Sequence, residues 1–109
     1  AIDPAGPYAY IASSAGAVVY GYSIDATTGV LTALAGSPFS TGSGSRPQFI
    51  TLDPSGKFGY TANEGADDIS GFAIDPATGV LTPVPSSPFP AGLKPIFVSI
   101  SPEAPGIRD

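Results

Sequence analysis

The chain has 109 residues, with 9 acidic and 4 basic side chains for a formal charge of −5. With 42% hydrophobic residues, only 12% charged, 14 Gly and 13 Pro, it is one small turn-rich folded domain, neither a charge-driven disordered tail nor a helical bundle, because each proline lacks an N–H donor and clashes with the preceding helical turn. Cys and His are absent, which removes disulfides, thiolate and imidazole metal sites and the Ser-His-Asp and Cys-His catalytic designs, and the four cations Arg46, Lys57, Lys94 and Arg108 form no phosphate-tracking nucleic-acid surface.

In chain order, residues 1–3 read as the tail of a strand that enters a turn at Asp3-Pro4 and Gly6. Residues 8–12, 18–24 and 30–34 follow as three short β-runs. Alternation in the second run puts Tyr20, Tyr22 and Ile24 on one face and Val19, Gly21 and Ser23 on the other, which suits a strand covered on both sides. Ser37-Pro38-Phe39 comes next, with Phe39 expected to seal an outer edge or a groove. After the polar segment 41–47, residues 49–52 form another strand. It enters the turn Asp53-Pro54-Ser55-Gly56, where Asp accepts from the backbone, Pro presets φ and Gly tolerates positive φ. Strands at 58–62, 69–74 and 80–84 complete this second set, separated by a polar loop at 63–68 and the turn Asp75-Pro76-Ala77-Thr78-Gly79. Ser87-Pro88-Phe89 then recurs, and 95–102 echoes 47–54 with a strand expected at 96–100. Residues 103–109 lack the aromatic pair that follows the turn in the earlier copies.

These recurrences are one repeat. Residues 1–40 laid on 51–90 give 16 identities at a constant offset of 50, clustered at turns and at apolar positions. Four antiparallel strands with hairpin connections at this period are the pattern of a β-propeller blade. The expected fold is therefore all-β, with two four-stranded blades and an extra innermost strand. The units are 1–40, lacking most of its innermost strand, then 41–90, then 91–109. The matching Gly21 and Gly71 suggest close approach of an adjacent blade. The rival architecture is a two-sheet sandwich, which does not require a unit-level repeat. Propellers generally close with four to eight blades, so this pair calls for completion, by self-association or by the remaining blades of a parent propeller.

The stretches 53–65, 74–84 and 87–89 resemble the blade consensus of the lactonase-type propellers, a family that includes bacterial 6-phosphogluconolactonases and carboxymuconate cyclases and is similar to the YVTN-type repeat proteins. The resemblance covers about two blades, up to Pro102. It implies a seven-bladed parent architecture, and an active site at the mouth of the central channel.

Alternating strand direction places 41–47, 63–68 and 91–95 on one rim, which by the resemblance is the channel mouth. That rim offers Arg46, Asn63, Glu64, Asp67, Asp68 and Lys94. In the first unit the counterparts of Asn63-Glu64 are Ser13-Ser14, and those of Asp67-Asp68 are Ala17-Val18, so the scaffold does not require the acidic cluster. Three readings stand side by side: a solvated loop, a weak cation site lacking the Asp-x-Asp-x-Asp-Gly spacing, and a lactone-hydrolysing site. In the last, Glu64 is the general base, Arg46 holds an anionic substrate or a developing oxyanion, and Asn63, Asp67, Asp68 and Lys94 bind ligand. Gly42-Ser43-Gly44 lacks the lysine and the helix of a phosphate loop. Two functions follow: a non-catalytic propeller module for assembly or ligand binding, or part of a metal-independent lactonase acting on sugar lactones. Neither calls for a cofactor. The apolar runs fall short of the roughly 20 residues of a membrane span, and no basic segment precedes an apolar one at the start, so a soluble chain is expected with its compartment open.

Overall fold

The computed structural model describes residues 1–4 and 6–91; the expected strand at 96–100, the unit 91–109 beyond its first residue, and Lys94 lie outside the described residues. Among the described residues nine strands appear in chain order: β1 (Tyr8–Ser13), β2 (Val18–Ile24), β3 (Leu31–Ala33), β4 (Phe39–Ser40), β5 (Pro47–Leu52), β6 (Phe58–Asn63), β7 (Asp68–Ile74), β8 (Leu81–Pro83) and β9 (Phe89–Pro90). No helix occurs among the described residues. Two antiparallel sheets result, one ordered β1-β2-β3 with β4 also on β2, the other β5-β6-β7-β8 with β9 also on β7. Each is a propeller blade. In the first, residues 1–3 supply the innermost position through an Ile2–Ala9 bridge, with the Tyr10 N–H donating to the Ala1 carbonyl.

The outermost position of each blade differs from the expectation of a single strand at 30–34 or 80–84. It is broken in two. β3 pairs with β2 near Ile24 and β4 pairs with β2 near Val18, and β8 and β9 divide β7 in the same way. The repeated Ser-Pro-Phe explains how the break is tolerated. Across it the Leu34 N–H donates to the Gly21 carbonyl, while the Gly21 N–H donates to Ser37 Oγ at 3.0 Å. Val84 and Ser87 serve Gly71 in the same way, at 3.0 and 2.9 Å. A side-chain oxygen thus replaces the missing strand acceptor, and both backbone groups of the central residue stay satisfied. Both Ser-Pro peptides, at Ser37-Pro38 and Ser87-Pro88, are cis.

Gly21 and Gly71 also receive a different explanation from the expected approach of an adjacent blade. A Cβ on Gly21 would stand 2.9 Å from Leu34 Cδ1 and 3.0 Å from Phe39 Cε2; on Gly71 it would meet Val84 and Phe89 at 3.0 and 3.3 Å. The glycines make room for side chains of their own outer strand, which fold back over the sheet. Phe39 is buried there, as its sealing role requires.

The core is the interface between the two blades. Tyr8, Tyr10, Val19, Phe39 and Leu34 of the first meet Ile50, Leu52, Phe72, Ile74, Leu81 and Val80 of the second. Strand register accounts for this selection. Tyr10 lies opposite Gly21 and Ala12 opposite Val19, so one face of the first blade collects the aromatic pair. In the second, Phe72 and Ile74 point back at that face from β7. Two hydrogen bonds lock the contact: Tyr10 Oη donates to the Gly79 carbonyl at 2.6 Å, and Tyr8 Oη to the Ala77 carbonyl at 3.2 Å. Gly79 has φ of +76°, and the Tyr8 ring occupies the place of its absent side chain, so both backbone conformation and space select glycine.

Candidate functional site at one blade rim

Three segments share one rim: 14–17 between β1 and β2, 41–46 between β4 and β5, and 64–67 between β6 and β7. They are tied together by backbone. The Thr41 N–H donates to the Ala17 carbonyl at 2.9 Å, and the Gly65 N–H to the Ser45 carbonyl at 2.8 Å. The two hairpin loops have equal length and the same left-handed residue, Ala17 with φ of 55° and Asp67 with φ of 56°. They therefore differ in chemistry and not in path.

Beneath the second loop lies a buried polar knot. Asn63 is fully buried; its Oδ1 accepts from Thr61 Oγ1 at 2.9 Å, and its Nδ2 donates to Asp68 Oδ1 at 2.7 Å and Ser70 Oγ at 2.8 Å. Ser70 Oγ passes its own hydrogen on to the Thr41 carbonyl, and Thr41 and Ser45 join hydroxyls. Both Asn63 amide protons are consumed, so this side chain has no donor left for a ligand. It braces the loop, and Asp68 Oδ1 is engaged in the same bracing. The described buried polar side-chain atoms are all satisfied.

Above the knot stand Arg46 and Glu64. Arg46 is exposed and held at φ of 47°, a conformation that costs a non-glycine residue about 1 kcal/mol or more and that collects at functional positions. Its side chain lies along Gly65, where a Cβ would come 2.9 Å from Arg46 Nε and overlap the Gly44 carbonyl. Gly65 is what lets the guanidinium cross the Glu64 loop. Glu64 is half-buried, and Gln48 Nε2 lies 3.4 Å from its Oε1, 3.3 Å from Ser14 Oγ and 3.4 Å from the Arg46 carbonyl. Gln48 therefore bridges the rims of both blades. Sequence reasoning passed over it, although Ile96 at the matching place in the later copy marks the polar residue as special to this blade. A cleft of about 240 Å³ opens beside it, lined by Ala1, Tyr10, Ile11, Ala12, Gln48, Phe49 and Ile50. Asp67 is half-buried and its carbonyl accepts from the Ala91 N–H at 3.1 Å. Among the described residues no three acidic side chains converge as a metal-ligand group.

The opposite rim is built of turns whose polar atoms are already used. Asp25 Oδ1 accepts from the N–H groups of Thr27 and Thr28 at 2.8 and 3.0 Å, and Asp75 Oδ1 from that of Ala77 at 2.8 Å. The Thr28 and Thr27 N–H groups hold the Asp25 carboxyl below its ordinary range. These aspartates shape turns.

Two four-stranded blades packed face to face, with variable chemistry on one rim and repeated turns on the other, define a β-propeller of the four-strand-blade class. Residues 1–99 match the family model described as lactonase, 7-bladed beta-propeller, and the chain belongs to that family. Solved structures agree. A candidate 6-phosphogluconolactonase of Bacteroides uniformis ATCC 8492 superposes with a TM-score of 0.82 at 28% identity, covering 94% of this chain and 29% of that one. A second, from Bacteroides fragilis NCTC 9343, gives 0.75 at 29% identity over 88% of this chain and 26% of that one. The periplasmic gluconolactonase of Pseudomonas aeruginosa shares the fold, with a TM-score of 0.75 at 20% identity over 89% of this chain and 26% of its own. The chain thus spans less than a third of each of these proteins. No curated protein matches it.

Proposed function

We propose that the chain supplies two adjoining blades to a lactonase-type propeller, and that its rim binds and hydrolyses a sugar lactone once the ring is complete. The observation that carries the reading is the Arg46 side chain laid against Gly65, the residue that follows Glu64, with Gln48 joining the Glu64 carboxylate to Ser14 of the first blade. In this reading Glu64 takes a proton from a water whose oxygen attacks the lactone carbonyl. The carbonyl oxygen gains the negative charge, and Arg46 faces it or an anionic substituent of the sugar. Collapse breaks the ring C–O bond; the departing oxygen takes the proton back, and the product is the open hydroxy acid. The chain's net charge of −5 does not prevent anion binding, since a channel mouth focuses local charge.

The test is proton release from gluconolactone and its 6-phosphate, measured above the spontaneous rate on the assembled chain and on a propeller carrying these two blades. Glu64→Gln and Arg46→Ala are each expected to lower turnover by about 10²-fold or more with folding unchanged. Turnover equal to the parent in both variants refutes the rim assignment. A parent that neither binds nor hydrolyses lactones in a closed ring leaves the non-catalytic module as the function.

A further inference from the structure

Ser14 and Glu64 hold the same place in successive repeats, and one amide lies between them. Gln48, in the innermost strand β5 of the second blade, brings Nε2 to 3.4 Å from Glu64 Oε1 of its own blade and to 3.3 Å from Ser14 Oγ of the first. The same nitrogen lies 3.4 Å from the carbonyl of Arg46, the left-handed residue two positions earlier. These neighbours decide which way the amide faces. A carbonyl and a carboxylate only accept, so the nitrogen and not the oxygen is turned to them.

The backbone around Gln48 is irregular in a way that re-aims its side chain. Pro47 pairs with Asn63 and Ile50 with Thr61, so three steps along β5 match two along β6, and the extra residue forms a bulge at Gln48-Phe49. Pro47 and Ile50 on either side are buried and anchor the strand, while Gln48 is half-buried. The bridge is no requirement of the blade. Ile96 stands at the matching place in the later copy and has no hydrogen-bonding side chain, and Ser14 in the first repeat stands where the second has Glu64.

We propose that Gln48 is a positioning residue for lactone hydrolysis at this rim, its amide pinning Glu64 Oε1 and the Arg46 carbonyl so that Glu64 Oε2 is the oxygen that takes the proton from water. The proposal rests on the lactonase reading above. Two N–H groups serve three acceptors, and the carboxylate draws the stronger bond. Ser14 ties the same amide to the first blade, so the direction of the carboxylate depends on how two blades meet. A glutamate otherwise turns about three side-chain bonds. Fixing one of its oxygens before substrate arrives removes that freedom, which speeds the chemical step and leaves substrate affinity alone.

Steady-state hydrolysis of gluconolactone by a propeller carrying these two blades tests it, together with the Gln48 side-chain amide signals in the magnetic resonance spectrum of the same protein made with isotope-labelled glutamine. Gln48→Met keeps the length of the side chain and removes the donor; kcat is expected to fall about tenfold or more, with KM within about twofold of the parent and Tm unchanged. Gln48→Glu has the parent's shape but sets a like charge against Glu64, and its kcat is expected to fall further. The amide signals, assigned by their loss in Gln48→Met, are expected to shift on Ser14→Ala and on Glu64→Ala and to stay in place on Thr32→Ala in the exposed strand β3. They are read without substrate, which separates the two ways of failing. Glu64→Gln as active as the parent refutes the lactonase reading and the positioning role with it, even where the signals shift. An impaired Glu64→Gln beside a Gln48→Met of parental kcat, or amide signals indifferent to Glu64→Ala, overturns the positioning role alone.

Discussion

Tyr10 is the residue on which the blade interface can be tested most directly. Its hydroxyl is buried and donates to the Gly79 carbonyl at 2.6 Å, so Tyr10→Phe removes the donor while the ring still fills its place. The Gly79 carbonyl is then left buried without its partner, which costs about 1–3 kcal/mol. For a domain of 60–100 residues that corresponds to a fall in Tm of about 4–8 °C per kcal/mol. Tyr20, more than a third exposed, is the control; Tyr20→Phe should stay within about 0.5 kcal/mol of the parent. Urea unfolding followed by far-UV circular dichroism, at one chain concentration, measures both. The same hydroxyl carries a pH signature. Burial, with the charges of Asp3 and Tyr8 adding to it, pushes the Tyr10 phenol well above its ordinary value of 10. A group whose folded pKa is raised contributes stability that is complete below the unfolded pKa. Stability should therefore decline from about pH 10 upward, and Tyr10→Phe should flatten that decline. Equal midpoints for Tyr10→Phe and Tyr20→Phe, together with an unchanged alkaline limb, would refute the interface as described.

Gly71→Ala places a methyl 3.0 Å from Val84 Cγ2 and against Phe89, so it should destabilise by about 1–3 kcal/mol and loosen the outer strand, read as faster amide exchange at Phe89. Asn63→Leu removes three hydrogen bonds of the buried knot at once; a loss of about 2–4 kcal/mol is expected, and a neutral result in thermal melts would show that the knot does not brace the rim. Arg46→Gly relieves a left-handed backbone at φ of 47° while deleting the rim cation. Its Tm should equal or exceed the parent's while lactone turnover or binding falls, and a drop in both would place Arg46 among the structural residues.

How far the chain could be read without coordinates follows from how local each determinant is. Asp-Pro with Gly, and Asp with Thr-Gly, act through their own backbone over three to five residues, so the turns, the strand order and the 50-residue blade period were legible as residues. The rim shared by Arg46 and Glu64 was legible too, since alternating strand direction decides it. Interactions between segments distant in sequence were not. Ser37 and Ser87 replace a strand acceptor for Gly21 and Gly71 sixteen residues away, which turned one expected outer strand into two and gave the glycines a role inside their own blade. Asn63 looked like a loop ligand because loops expose polar groups; only the packing of Thr61, Ser70 and the 41–45 segment around it made it a buried brace. Gln48 entered the site because two blades met above it, with Ser14 lying 34 positions away. Composition and repeat therefore determined which elements form and in what order, through contacts made within a turn. Tertiary structure decided which polar groups remain available for chemistry, because that depends on which distant partners burial supplies.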